Sequence, residues 1–250
     1  MSKEPEEEWD LRSDAALGEQ LHRLLTEEYG VETEAWATER ITRVLERLNA
    51  VRERCPFPGA NPYPLRAEIL WVGEMNAFAA PGGWVYITRE LLQRFCTDDP
   101  VAFVIAHEMA HHDLGHVRIL SGTLAERLRQ HLPEDAAALA LLLWKNAQNK
   151  LSSSDLEVAA DRYALDLCIA AGYNPYDCLN LFHALESYYL DHRDLDGVFG
   201  PDCSPSSPSD SLLNRALNLA QGERWKRSRG YPSLRARKAT LLRQIQEYTG

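Results

Sequence analysis

A predominantly helical α+β domain with one small antiparallel sheet is what this 250-residue sequence predicts, and three observations predict it. Long stretches place apolar residues at three- and four-residue steps among charges, the period of an amphipathic helix. Two short runs rich in β-branched and aromatic residues, Ile69 to Val72 and Trp84 to Thr88, flank the turn formers Pro81, Gly82 and Gly83. Finally, PFPGANPYP at 56 to 64 has four prolines in nine residues, which fix backbone angles and remove donors, so it separates the opening helices from the rest of the chain.

Taken in order, MSKEPEEEWD is acidic and lacks the apolar region of a secretory signal, so residues 1–12 are expected as a disordered tail. Residues 14–28 and 33–53 are expected as helices; in the second, Trp36, Ile41, Val44, Leu45 and Leu48 form the apolar stripe. These N-terminal helices, within 13–55, are expected to pack on a main domain spanning 56–250. The two strand-like runs predict an antiparallel ribbon. ELLQRF then begins a helical turn. Asp98, Asp99 and Pro100 supply start signals for the next helix, which is expected to end near Gly115. Residues 117–150 are leucine-rich and helical in pattern. Ser152 to Asp155 offers caps for LEVAADRYALDLCIAAG, closed by Gly172. Residues 196–210 are a flexible loop by composition, and SLLNRALNLAQ and SLRARKATLLRQIQEY are two further helices.

Composition narrows the function classes. A net charge of −10 repels nucleic acid and anionic lipid, so no nucleic-acid partner and little contact with a membrane surface are expected. The longest apolar run, AAALALLLW at 136–144, has nine residues, whereas a spanning helix needs about 20. No transmembrane segment is expected. Five cysteines form no CxxC pair, and their odd number suggests no disulfide framework; a reducing cytoplasm fits best.

Half of the eight histidines fall in AHEMAHHDLGH, residues 106–116. His107 and His111 stand four apart, which puts both imidazoles on one helix face at the separation two ligands of a tetrahedral zinc require. Glu108, between them, is placed to take a proton from a metal-activated water, giving HExxH. VAFVIA precedes the motif, so the helix enters from an apolar core where idle imidazoles would be costly. His112 and His116 form a second i, i+4 pair, but at about 100° per residue His112 points away from His111. The second pair is expected in supporting or surface roles.

A third protein ligand is needed. HExxHxxGxxH is excluded, because Leu114 and Val117 stand where glycine and histidine would be required. Glu157, four before Asp161 beside an apolar stripe of Leu156, Ala159, Ala160, Tyr163, Ala164 and Leu167, is the better candidate than Glu126 or Glu134, which sit among charges. Two stacked carboxylates repel unless neutralised. Zinc bound by Glu157, with Asp161 accepting the free N–H of a ligand histidine, would do so. Pairing with Arg162 and other surface cations is the other possibility.

With HExxH, a downstream ExxAD and NAFAAPGGWVYITRELL, the chain resembles the HtpX-like zinc metallopeptidases, the gluzincin group that also contains the CAAX prenyl endopeptidases. The resemblance covers roughly residues 35–245. It implies a zincin-like metallopeptidase domain with the sheet beside the active-site helix. One Zn2+ would be held by His107, His111 and Glu157, with Glu108 as general base and Asp161 behind a ligand histidine. It further implies that Asn76 and Ala77 lie on a strand beside the cleft, where an extended peptide or unfolded protein adds as another strand. In YPSLRARKATL, Tyr231 stands where relatives carry a histidine and Arg237 matches their arginine; either is an expected oxyanion donor. The expected function is zinc-dependent endopeptidase. A zinc-stabilised peptide-binding or chaperone-like module is the alternative, as is a latent peptidase whose groove is covered by the 196–210 loop or the Tyr231 segment.

Overall fold

The structure, a computed structural model, describes residues 11–54, 63–118, 154–191 and 234–249. The first ten residues, most of the proline-rich connector, the leucine-rich stretch from 119, the 196–210 loop, SLLNRALNLAQ and Tyr231 lie outside the described residues.

Two helices open the chain, α1 (Leu11–Tyr29) and α2 (Ala35–Arg54). Strands β1 (Arg66–Leu70), β2 (Ala77–Ala80) and β3 (Trp84–Thr88) come next, with a 3-10 turn at Pro81–Gly83. Then come α3 (Arg89–Gln93), α4 (Asp98–Asp113), α5 (Ser154–Ala170), α6 (Pro175–Cys178), α7 (Asn180–Asp191) and α8 (Leu234–Thr249). The mostly helical α+β class holds.

The sheet corrects one expectation. Its order is β1-β3-β2, and the two runs expected to pair antiparallel instead run parallel, Arg66 opposite Trp84 and Leu70 opposite Thr88. The antiparallel partner of β3 is β2, with Ala77 opposite Ile87 and Ala80 opposite Trp84. The physical reason is loop length: AFAA leads directly into the Pro81–Gly83 turn and closes a tight hairpin, so β1 is left to add on the far side of β3. Alanine has little intrinsic strand preference, so AFAA carried no strand signal of its own. β1 also begins earlier than the apolar run, at Arg66.

The sheet separates two apolar layers because alternate residues face opposite sides. Ile69 and Ile87 join the main core, formed with Val44 and Leu48 of α2, Phe103 and Met109 of α4, Leu167 of α5 and Leu241 of α8. Leu70, Trp84 and Tyr86 face the other way, against Leu17, Leu21 and Leu25 of α1. At Gly18 helix and turn approach closely: a Cβ there would meet the Pro81 carbonyl oxygen at 2.2 Å, so α1 tolerates no side chain at that point. Asp14 of the same helix accepts from the Gly82 N–H at 3.1 Å.

α4 is the central rod. Apart from His107, its residues from Pro100 to Asp113 are buried, the apolar half at 100–106 in the core and the polar HExxH half against other elements. Its start is pinned by α2: Arg40 donates to Asp98 Oδ1 at 2.9 Å and to the Leu92 and Phe95 carbonyls, and Arg43 also reaches Asp98. Desolvation raises the Asp98 carboxyl, yet the Arg43 and Arg40 guanidinium groups outweigh it and hold it below its ordinary range. Asp99 accepts from the Asn174 N–H at 2.8 Å, tying the same helix end to the start of α6. The helix that carries HExxH is therefore fixed at its origin by ion pairs and along its length by packing.

Candidate metal centre

α4 and α5 make the most extensive helix–helix contact of the described residues. The i, i+4 spacing brings His107 Nε2 and His111 Nε2 to 3.2 Å from each other. From α5, Glu157 meets both: Oε2 lies 3.4 Å from His107 Nε2, and Oε1 lies 3.6 Å from His111 Nε2. A tetrahedral zinc with bonds of about 2.0–2.1 Å spaces its ligand atoms about 3.3 Å apart, so the three observed separations bracket the requirement. Among the described residues, these three form the cluster of potential metal ligands whose donor atoms converge. Two imidazole nitrogens and a carboxylate suit zinc chemistry. The side chains of His107, Glu157 and His111 are all largely covered, keeping 12%, 10% and 8% exposure. Glu108, the next residue along α4, is buried as well.

Behind the three stands a second layer. Asp161, one turn beyond Glu157, puts Oδ1 3.1 Å from His107 Nδ1, an ion-pair distance whose geometry is not aligned as a hydrogen bond. Arg237 reaches in from α8, donating from Nε to Asp161 Oδ2 and from Nη2 to Asp161 Oδ1, both at 2.6 Å. Its Nη1 lies 3.2 Å from Glu157 Oε2. Among the described residues, the cation that the paired carboxylates meet is the buried Arg237 rather than the exposed Arg162 of the surface-pair reading. Arg237 is the residue whose placement the sequence signalled least directly. The resemblance pointed to it in another role; a signal that could have found the ion pair is its place on the α8 stripe Leu234, Arg237, Leu241, Ile245, since a cation on a core-facing stripe needs a buried partner.

The charges respond to one another. Burial pushes the His107 imidazole down, but Asp161 and Glu157 outweigh it and lift it to about 10. His111 goes the other way, to about 3, because desolvation and the neighbouring His107 charge both oppose its protonation. Desolvation raises Glu157, yet His107, Arg237 and His111 hold its carboxyl far below the ordinary range; Asp161 is lowered likewise by Arg237 and His107 against the cost of burial. With His107 protonated, the two carboxylates, Arg237 and His107 sum to zero formal charge. A divalent cation that displaces that proton enters a site already rich in carboxylate.

The second histidine pair divides. His112 Nε2 lies 3.0 Å from the Trp84 carbonyl, joining α4 to β3 away from the ligand atoms. His116 returns toward the site, with Nδ1 2.9 Å from His111 Nδ1. The helix ends at Asp113 with Leu114 as its cap, close to the expected Gly115. Asn76 precedes β2 and is held to β3: its carbonyl accepts from the Thr88 N–H at 2.9 Å, and its Oδ1 accepts from the Ala77 N–H at 2.9 Å. β2, which begins at Ala77, is an edge strand packed against α4, with no further strand beside it among the described residues. Tyr231 lies outside the described residues.

The chain has counterparts among known proteins. It is 30% identical over 134 residues to the metalloprotease LoiP of Escherichia coli (strain K12), which is 50% of this chain and 53% of LoiP. It is 33% identical over 120 residues to the mitochondrial metalloendopeptidase OMA1 of Arabidopsis thaliana, which is 43% of this chain and 23% of OMA1. The matched part spans about half the length of the first relative and about a quarter of the second. The model of peptidase family M48 matches residues 35–223, from the start of α2 through both helices that bear the converging ligand atoms and ending before α8 with its Arg237. A match across most of the sequence, meeting a buried His-His-Glu cluster on those same helices, places this chain in peptidase family M48.

Proposed function

We propose that this metallopeptidase is a zinc-dependent endopeptidase of the HtpX-like kind, acting on peptide or unfolded-protein substrates. The observation that carries the reading is the convergence of His107 Nε2, His111 Nε2 and the Glu157 carboxylate at 3.2–3.6 Å, with Glu108 adjoining them. When bound there, the ion would supply Lewis acidity, acidifying water and polarising the scissile carbonyl.

The chain's own groups do the rest. Glu108 takes a proton from the attacking water and passes it to the leaving amine, so one water adds across the amide and two termini result. Asp161 sits against His107 Nδ1 and favours the tautomer whose Nε2 faces the ion. Arg237, with all three of its nitrogens engaged on Asp161 and Glu157, holds the two carboxylates in place. Its geometry supports this positioning role better than the oxyanion role expected of it; Tyr231 is our candidate oxyanion donor. The substrate backbone is proposed to pair with β2 near Asn76 and Ala77, extended alongside α4. Five cysteines without a CxxC pair support a cytoplasmic setting. No helix among the described residues is long and apolar enough to cross a membrane.

The test is a pair of measurements on the purified protein. Elemental mass spectrometry after dialysis should find one zinc per wild-type chain. Glu108→Gln should retain that zinc while peptide cleavage falls by about 10²–10⁴-fold, the usual worth of a general base. A zinc-loaded Glu108→Gln protein that cleaves at the wild-type rate sinks the mechanism.

A further inference from the structure

His116 belongs to neither the ligand set nor the carboxylate layer, yet it is buried and its Nδ1 stands 2.9 Å from Nδ1 of His111. We propose that His116 is a positioning residue for the metal centre: its Nδ1 accepts the Nδ1–H of His111 and so fixes His111 in the tautomer that offers Nε2 to the ion. The proposal rests on the zinc reading above.

Two rings and their protons must be accounted for together. His111 Nε2 is the nitrogen that faces His107 Nε2 and Glu157 Oε1. A neutral imidazole carries one proton, so if Nε2 gives its lone pair to a cation the proton sits on Nδ1 and needs an acceptor. The atom in reach is His116 Nδ1. It can accept only if its own ring keeps its proton on Nε2, which fixes both tautomers from a single contact. His116 cannot itself be a fourth ligand, because it lies on the Nδ1 side of His111, across the ring from the converging atoms.

Chain geometry supports the same role. Five residues along a straight helix His116 would lie about 140° around the axis from His111 and could not meet it. The helix stops instead: Leu114 caps it, the Gly115 N–H donates to the His112 carbonyl at 3.0 Å, and Gly115 adopts φ of 76°. That left-handed step, which glycine takes without strain, turns His116 back beneath His111. The two ligand histidines are thereby supported differently. Asp161 Oδ1 lies 3.1 Å from His107 Nδ1, whereas His116 Nδ1 lies 2.9 Å from His111 Nδ1.

Full-length protein, stripped of metal and titrated with zinc against a chromophoric chelator, tests this with two variants. His116→Asn keeps an acceptor near the place of Nδ1, and His116→Phe fills the space without one. His116→Phe should bind zinc about 10–100-fold more weakly, the usual effect of losing a partner behind a ligand histidine. His116→Asn should stay within about threefold of wild type. The visible absorption of the cobalt-substituted proteins should shift in His116→Phe and not in His116→Asn. Thermal melts of the metal-free proteins guard against misfolding; if His116→Phe does not fold, His116→Leu replaces it. Wild-type affinity in the apolar variant, or equal weakening in both, overturns the positioning role while leaving the zinc site intact. No zinc binding by the wild type overturns both proposals together.

Discussion

Helices α4 and α5 share two buried polar clusters: Asp113 with Arg52 and Tyr163, and Glu157 and Asp161 with His107, His111 and Arg237. In the first, Arg52 grips Asp113 with a two-pronged contact at 2.7 and 2.8 Å, and Tyr163 donates to the same carboxylate at 2.5 Å. There a carboxylate is held by a guanidinium and a phenol. In the second, two carboxylates meet one guanidinium and an imidazole that owes its proton to its surroundings. The difference separates structure from chemistry. The contacts of Arg52, Asp113 and Tyr163 join three helices, whereas a cluster balanced partly by a histidine proton can trade that proton for a metal ion.

The comparison can be broken in several ways, the largest first. If the proposed site is right, Glu157→Ala should lose its zinc on dialysis and all detectable turnover with it, since two histidines alone would remain of the three converging groups. Zinc retained at one per chain in that variant would move the third ligand elsewhere. Asp113→Ala should do the reverse: zinc stays, and stability falls by about 3 kcal/mol because the largely covered Arg52 guanidinium loses its two-pronged carboxylate contact. For a chain of this size that corresponds to a melting temperature lower by about 6–12 °C. If Asp113→Ala instead lost metal and melted normally, the two clusters would not be separate. Tyr163→Phe removes only one hydrogen bond to that carboxylate and should cost about 1.5 kcal/mol, read by the same melts.

A subtler distinction lies in pH. His107 is raised from 6.5 to about 10 in the folded, metal-free chain, so its protonation stabilises the fold fully below pH 6.5 and that contribution is lost as pH rises toward 10. Metal-free protein should therefore lose stability across this window, and zinc-loaded protein, in which the proton has been displaced, should not. At pH 7 zinc binding should release about one proton, detectable as a dependence of the calorimetric heat on the ionisation enthalpy of the buffer. A heat independent of buffer would show that His107 is already neutral.

Much of the site was legible in the sequence. The i, i+4 pair His107 and His111 needs only helix geometry to converge, and Glu157 with Asp161 stood out as stacked carboxylates on an apolar face. The strand β3 was legible because WVYIT is rich in β-branched and aromatic residues. The features that escaped were set by partners distant in sequence. AFAA gave no strand signal from its own residues, only the resemblance put Ala77 on a strand, and the Pro81–Gly83 turn is what delivers it to β3; Arg52 shows as the partner of Asp113 only once the two meet across 61 residues.

Local periodicity and cap signals by themselves determined α1, α2, α4, α5 and α8, the HExxH face and the carboxylate pair that answers it, because each depends on spacings of three to five residues along one element; α6 and α7 were not expected from the sequence. Only tertiary structure decided that β1 runs parallel to β3, that Arg237 closes over Asp161 and Glu157, and that Gly115 turns His116 back to His111. Those contacts join groups whose separation along the chain, or whose break in helical phase, leaves no trace in a repeating pattern, and burial is what then makes each of them matter: a charge or imidazole withdrawn from water must find its partner inside.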